Sequence, residues 1–174
     1  GGTSVAAFTS GVLSEGDHTL YVQAMDAVGN WSGSGEATVR IDLSPPVIEA
    51  GGDLGWTNAQ ATLSGTASDA TAMSYLWEQI GGSGSVTFGS ATSLSTTIEG
   101  VLGQEAGIIV QLTVTDQVGF SSQDTLTFYW DKKAPAPGNN GALNTSSIGT
   151  DSLTLSWLGA TDLSTGPAAV EYRV

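Results

Sequence analysis

Acidic and amide side chains recur near the ends of predicted strands, where their oxygen atoms could bind a cation. Five of them occupy related places in two segments of the chain: Asp26, Asn30, Asp42, Asp116 and Asp131. A hard cation such as Ca²⁺ takes roughly six to eight oxygen ligands, and carboxylates supply most of them. These residues therefore predict Ca²⁺ at the junctions between modules, as the one cofactor that the sequence suggests.

Turn chemistry offers a second interpretation of the same carboxylates. Asp26 and Asp116 each begin a D-x-V-G-x-x-S segment, and an aspartate at the start of a turn accepts hydrogen bonds from the following backbone N–H groups. The EF-hand pattern D-x-[DN]-x-[DN]-G does not occur in the chain. Both the calcium interpretation and the turn interpretation stay open from sequence.

Enzymatic chemistry is poorly supplied. His18 is the only histidine and there is no cysteine, so a Ser-His-Asp triad could form only around His18, and multi-histidine or thiolate metal sites are excluded. No G-x-S-x-G elbow joins a strand to a helix. We assign no catalytic residue and expect a protein that is not an enzyme.

The tryptophans divide into two groups. Trp77 shares one face of a predicted strand with Tyr75 and Gln79, and a tryptophan at this place usually fills the core of a sandwich. In contrast, Trp31 and Trp56, together with Trp130, lie near turns or strand ends. Exposed rings there would contact a ligand by stacking on sugars or would contact a neighbouring domain.

The elements that position these residues are β-strands. Short β-branched runs alternate with glycine, serine, asparagine and aspartate, a spacing typical of sandwiches. The D-x-V-G-x-x-S segment recurs at an offset of 90 residues and is followed each time by a strand, an aspartate and proline. Each copy predicts the last hairpin of a domain, with Gly29 or Gly119 at positive φ.

This repeat divides the chain into three parts and predicts an all-β protein of tandem immunoglobulin-like β-sandwich domains. Residues 46–131 form a complete domain with predicted strands at 47–50, 59–65, 73–79, 85–88, 95–98, 108–115 and 125–130. Residues 1–43 hold the closing strands of a similar domain. Residues 138–174 hold opening strands, the clearest at 152–157 and 170–174.

Composition and charge remove several classes of function. The net charge is -13, with 4 Lys+Arg against 17 Asp+Glu, so the chain repels nucleic acids and anionic membrane surfaces. No apolar run approaches the roughly 20 residues that span a bilayer. We therefore expect neither nucleic-acid binding nor membrane insertion in this segment.

Three segments in the middle domain carry a resemblance to a known family. They are Leu63-Ser64-Gly65-Thr66-Ala67-Ser68-Asp69, Tyr75-Leu76-Trp77-Glu78-Gln79, and Leu112-Thr113-Val114-Thr115-Asp116 with Gly119. Together they resemble a PKD-like (polycystic kidney disease type) domain. The segment from Gly16 to Ser32 resembles the end of bacterial Ig-like repeats. Residues 152–162 and 171–174 are similar to the first half of a bacterial fibronectin type III domain.

These resemblances imply a modular extracellular protein. We expect a non-catalytic spacer or adhesion segment of a large secreted or cell-surface bacterial protein, whose partners are neighbouring Ig-like domains of the same or an adjacent chain. Polysaccharide or a host or cell-surface protein is a further expected partner. Two alternatives are an accessory carbohydrate-binding or substrate-guiding module of a secreted hydrolase, and a strand-complemented repeat unit of an extracellular filament.

Overall fold

Thirteen strands account for the regular structure of the described residues, which in this computed structural model are 7–148 and 151–162. Two strands, β1 (Gly16–Val22) and β2 (Gly35–Ile41), precede a linker of residues 42–46. Two more, β12 (Leu143–Ile148) and β13 (Leu153–Trp157), follow a short 3₁₀ segment (Gly138–Gly141). The nine between them are β3 (Val47–Glu49), β4 (Leu54–Thr57), β5 (Ala61–Ser64), β6 (Thr66–Ser68), β7 (Met73–Gly82), β8 (Val86–Phe88), β9 (Ser95–Gly100), β10 (Glu105–Asp116) and β11 (Ser121–Asp131).

These nine strands form a two-layer sandwich. One layer is the four-stranded sheet β4-β11-β10-β7, in which β4 is parallel to β11 and the other pairs are antiparallel. The opposite layer holds the sheet β5-β9-β8 and the pair β3-β6. The fold is therefore an all-β sandwich of immunoglobulin-like type, as the sequence predicted.

The core follows from alternation along the long strands. Every second residue of β10 from Ala106 to Val114 is buried, and in β11 the buried side chains are Leu126, Phe128 and Trp130. Trp77 of β7 is 1% exposed and donates its indole N–H to the carbonyl oxygen of Ser93 at 3.2 Å. The core role predicted for Trp77 is confirmed.

The predicted strands reappear with shifted ends. All seven strands expected between residues 46 and 131 are present, and β10 and β11 are longer than expected. Two short strands, β4 and β6, were missed because a tryptophan between glycine and threonine, or three small residues, shows no clear alternation. The strand expected at residues 170–174 lies outside the described residues.

Both predicted hairpins are present. The turn from Asp26 separates β1 from β2, and the turn from Asp116 separates β10 from β11, with Gly29 at φ 95° and Gly119 at φ 103°. The hairpins β1–β2 and β12–β13 are each two-stranded sheets of their own. Within the described residues no helix has the length and apolarity required to span a membrane.

Candidate metal centre

The turn after β1 is closed by Asp26 and Asn30. One oxygen of Asp26, Oδ1, accepts hydrogen bonds from the backbone N–H groups of Val28 at 3.0 Å and Asn30 at 2.9 Å. The other, Oδ2, accepts one from the side-chain amide of Asn30 at 2.9 Å. The backbone and side-chain hydrogen bonds from Asn30 lower the pKa of Asp26 below its ordinary value. Both carboxylate oxygens are therefore occupied within the turn.

The turn after β10 has a similar backbone, again with a glycine at positive φ, but a different side chain at the matching position. Asp116 Oδ1 accepts N–H groups from Val118, Gly119 and Phe120 at 2.9, 2.6 and 2.9 Å. Phe120 stands where Asn30 stands in the first turn, and phenylalanine has no polar side-chain atom to donate. Asp116 Oδ2 is buried and has no hydrogen-bond partner.

Three carboxylates meet at this turn. Asp42 from the linker, Asp69 from the loop after β6 and Asp116 each place one oxygen within 4.8 Å of the other two. Asp42 and Asp116 are only 7% and 6% exposed, and Asp69 is half-buried. Two unit charges about 4 Å apart repel each other by roughly 4 kcal/mol at an effective dielectric constant near 20. A group of hard oxygen ligands with this repulsion suits a divalent cation.

The same place joins the linker to the sandwich. Thr71 donates its hydroxyl proton to Asp42 Oδ2 at 2.9 Å, and Arg40 donates from Nη1 to the carbonyl oxygen of Ala70 at 2.6 Å. Arg40 also forms a two-point ion pair with Asp17, at 2.6 and 2.7 Å, which lowers the pKa of Asp17. Residues on both sides of the linker therefore contact each other directly.

A second acidic group lies at the opposite end of the sandwich. Glu105, Asp131 and Asp162 each place one oxygen within 4.8 Å of the other two. Next to it is an open cavity of about 300 Å³ lined by Glu105, Lys133, Ala134, Ala136, Thr161 and Asp162. The Lys133 ammonium lies 3.9 Å from Glu105 Oε2, so part of the negative charge at this end is balanced by the protein.

The five residues proposed as calcium ligands are thus distributed over three places. Asp42 and Asp116 come together, Asp131 joins the opposite group, and Asp26 and Asn30 bond to each other. Sequence reasoning missed Asp69. Its position at the end of the Leu63–Asp69 segment was a signal, but only the fold brings that loop beside the linker.

Of the three tryptophans considered for ligand contact, two are accessible. Trp31 is 64% exposed beside the first turn, and Trp56 is 41% exposed on β4, next to Tyr129 with ring centroids 5.2 Å apart and planes tilted by 46°. The expectation of an exposed ring at Trp130 is wrong. Trp130 is fully buried, because alternation along β11 turns it inward with Phe128, and its indole N–H donates to the carbonyl oxygen of Val101 at 3.0 Å.

The sandwich and its strand order define an immunoglobulin-like module, and comparison with known proteins specifies which one. Residues 50–129 match the family model described as "K319L-like, PKD domain". That segment is therefore a PKD-like domain, as its three sequence motifs indicated. The match covers 80 of the 174 residues.

Among solved structures, the chain is similar to one titled "Solution structure of the PKD domain from KIAA 1837 protein". The two are 28% identical with a TM-score of 0.41, and the similarity covers 52% of this chain and 92% of that chain. No curated protein matches the sequence.

Proposed function

We propose that this chain is a non-catalytic spacer segment of a large secreted or cell-surface protein, built from tandem Ig-like modules with the PKD-like domain at its centre. A PKD-like domain is typically a structural or adhesion module found outside the cell. Neighbouring Ig-like domains are then its first partners, and its task is to hold other parts of the protein at a set distance and angle.

The observation that carries this proposal is the set of contacts across the linker. Arg40 at the end of β2 bonds to the loop that follows β6, and the Asp42 carboxylate accepts the hydroxyl of Thr71 in that loop. Further along, Ser122 of β11 donates to the carbonyl oxygen of Pro46 at 2.6 Å. Proline itself stiffens the linker. A flexible tether between modules would not need such bonds.

Pulsed electron–electron double resonance, which measures the distance between two spin labels, tests the spacer role on the 174-residue chain. The chain has no cysteine, so spin labels can be attached at Glu36→Cys on β2 and Thr62→Cys on β5, which are both exposed. We expect a single narrow distance distribution that broadens in an Arg40→Ala background. Lys132→Ala, which removes the partner of Glu99 inside the sandwich, is the control and should leave the distribution narrow. A broad distribution in the parent protein would contradict the proposal.

A carbohydrate-binding module is the second candidate, supported by the exposed pair Trp56 and Tyr129 at the edge of the four-stranded sheet. Aromatic faces of this kind stack on sugar rings. The tilt of 46° between the rings makes them a poorer platform than two coplanar rings. Retention on an insoluble polysaccharide that disappears with Trp56→Ala, and persists with Trp31→Ala, would favour this candidate over the spacer.

The filament alternative has its own support in the end hairpins. On the β1–β2 hairpin, Leu20, Val22 and Val39 are 42%, 71% and 40% exposed, and within the described residues each of its strands pairs only with the other. Free strand edges of this kind can accept a strand from a second chain. Strand exchange between copies would convert the spacer into a filament unit.

A further inference from the structure

We propose that Asp42, Asp69 and Asp116 form a Ca²⁺ site that ties the linker to the PKD-like sandwich. The two related turns differ at one carboxylate oxygen. In both turns one aspartate oxygen accepts backbone N–H groups. In the first turn Asn30 satisfies the other oxygen, whereas Phe120 leaves the Asp116 Oδ2 atom buried without a partner.

A buried carboxylate oxygen without a hydrogen bond lowers the stability of the fold, because its lost hydration is not replaced. A ligand bound to that oxygen would remove this penalty. The charge around Asp116 points to a cation. Asp42, Asp69 and Asp116 form a cluster in which each carboxylate places one oxygen within 4.8 Å of the other two. In the part of the chain that the structure describes, the ion pairs join other carboxylates, those of Asp17, Glu99 and Glu105. Arg40 interacts electrostatically with Asp42, but its guanidinium bonds to Asp17 and to the carbonyl oxygen of Ala70. Among the described residues, no protein cation therefore forms a direct ion pair with the cluster.

The remaining hydrogen bonds leave room for a metal. Thr71 donates its hydroxyl proton to Asp42 Oδ2 at 2.9 Å and its backbone N–H to Asp69 Oδ1 at 3.2 Å. A carboxylate oxygen that accepts one hydrogen bond keeps a second lone pair, which can bind a metal. An all-oxygen set dominated by carboxylates selects Ca²⁺ over Zn²⁺, which prefers histidine and cysteine. Mg²⁺ holds its water more tightly and rarely occupies a site made by several protein carboxylates.

The three ligands come from different parts of the chain. Asp42 lies in the linker, Asp69 follows β6 and Asp116 ends β10, so a bound ion would add a cross-link between the linker and both layers of the sandwich. The binding of Ca²⁺ does not depend on the spacer role. The stiffening of the linker by Ca²⁺ does rest on that proposed function, and the two are measured separately.

Calorimetric titration of the metal-free 174-residue chain with CaCl₂ measures the binding. We expect one saturable site with a Kd of about 10⁻⁴ to 10⁻³ M, the range of extracellular modules. At a free Ca²⁺ concentration about tenfold above Kd, the melting midpoint should rise by roughly 5 °C relative to EDTA. The absence of binding heat and of any shift would overturn the site, and so would an equal response to Mg²⁺.

Phe120→Asn is the sharpest variant, because it gives the second turn the amide that closes the first. The new side chain should donate to Asp116 Oδ2, so Ca²⁺ affinity should fall at least tenfold while the metal-free chain stays folded. Asp69→Asn, in a half-buried loop, should lose affinity similarly without disturbing the turn. The matched control is Asp26→Asn, which alters the equivalent turn and should leave Ca²⁺ binding unchanged.

Unchanged Ca²⁺ affinity in both Phe120→Asn and Asp69→Asn would overturn the assignment and place any binding elsewhere on the acidic surface. Loss of affinity in Asp26→Asn would do the same. Spin-label distances recorded with Ca²⁺ and with EDTA then separate the two proposals. Binding without narrowing of the distance distribution would leave the metal site standing and would contradict only the mechanical role.

Discussion

At the scale of single residues, the position four places after the turn aspartate determines what that aspartate can do. Asn30 donates hydrogen bonds to the Asp26 carboxylate from both its backbone N–H and its side-chain amide. Phe120, at the same place in the second turn, offers only its backbone N–H to Asp116. One side chain therefore distinguishes a turn that is chemically closed from one that keeps a buried oxygen available.

The pKa of Asp26 should report this closure. Hydrogen bonds to the ionised carboxylate hold its pKa below the ordinary 3.8, the bond from the Asn30 backbone being the largest contribution and that from its side chain the next. Asn30→Ala keeps the first and removes the second, so the pKa should rise part of the way toward 3.8. Carboxyl NMR titration measures this, with Asp17, which is held by Arg40, as the internal control.

The sign of the pH effect follows from the direction of the shift. Because the folded-state pKa of Asp26 is lowered, the carboxylate stabilises the turn at pH values above its unfolded-state pKa. That contribution is lost as the pH falls through the folded-state pKa, and Asn30→Ala should move the loss to higher pH. An Asp26 pKa that is identical in the parent and the variant would contradict the prediction.

At the scale of elements, the side-chain amide of Gln79 stabilises the irregular end of β7. The pairing of β7 with β10 shifts register between Ile109 and Val110. There the Gln79 side chain donates to the carbonyl oxygen of Gly84 at 2.6 Å and accepts the N–H of Val86 at 3.2 Å. The glycine-rich loop between β7 and β8 is therefore fixed to the strand that precedes it.

Gln79→Glu should destabilise the sandwich by about 1–3 kcal/mol, because the carboxylate cannot donate to the half-buried Gly84 carbonyl group. The free energy of unfolding in urea measures the change. Gln123→Glu makes the same substitution at an exposed position of β11 and should alter stability by no more than about 0.5 kcal/mol. Equal effects of the two substitutions would show that Gln79 does not fix the loop.

At the scale of the whole molecule, burial is concentrated in the central domain. All the fully buried large side chains lie between residues 63 and 130 among the described residues, whereas the β1–β2 hairpin buries none. Local stability follows buried apolar contact. The chain should therefore consist of a stable sandwich with less stable segments on either side.

Hydrogen exchange followed by mass spectrometry should show this gradient. Peptides from β10, with Ile108, Val110 and Leu112 at 0% exposure, should exchange slowest. Peptides from β1 and β2 should exchange fastest among the strands, although both form a full antiparallel ladder. Slow exchange of β1 in a monodisperse monomer would contradict the gradient, whereas slow exchange that appears only in oligomers would favour strand complementation between chains.

Much of the fold could be predicted because its signals are local. Alternation marks the buried face of β10, and the sequence D-x-V-G, with its glycine at positive φ, marks a hairpin at both places where it occurs in this chain. Ends of strands were less predictable, since pairing partners extend β10 and β11 beyond their apolar residues. Trp130 shows what local signals leave open. Alternation places it on the same face of β11 as Phe128, but only the packed layers decide that this face is covered at the end of the strand.

The acidic residues show the same division between local and distant causes. Their number and the turns that some of them begin are properties of the sequence, and those properties suggested calcium. The meeting of Asp42, Asp69 and Asp116 is a property of the tertiary structure, because a linker, a loop and a strand end must converge before their oxygens can act together. Hydrogen bonds within a turn depend on neighbouring residues and can be predicted from them. A site built from a linker, a loop and a strand end forms only when the layers of the sandwich have packed.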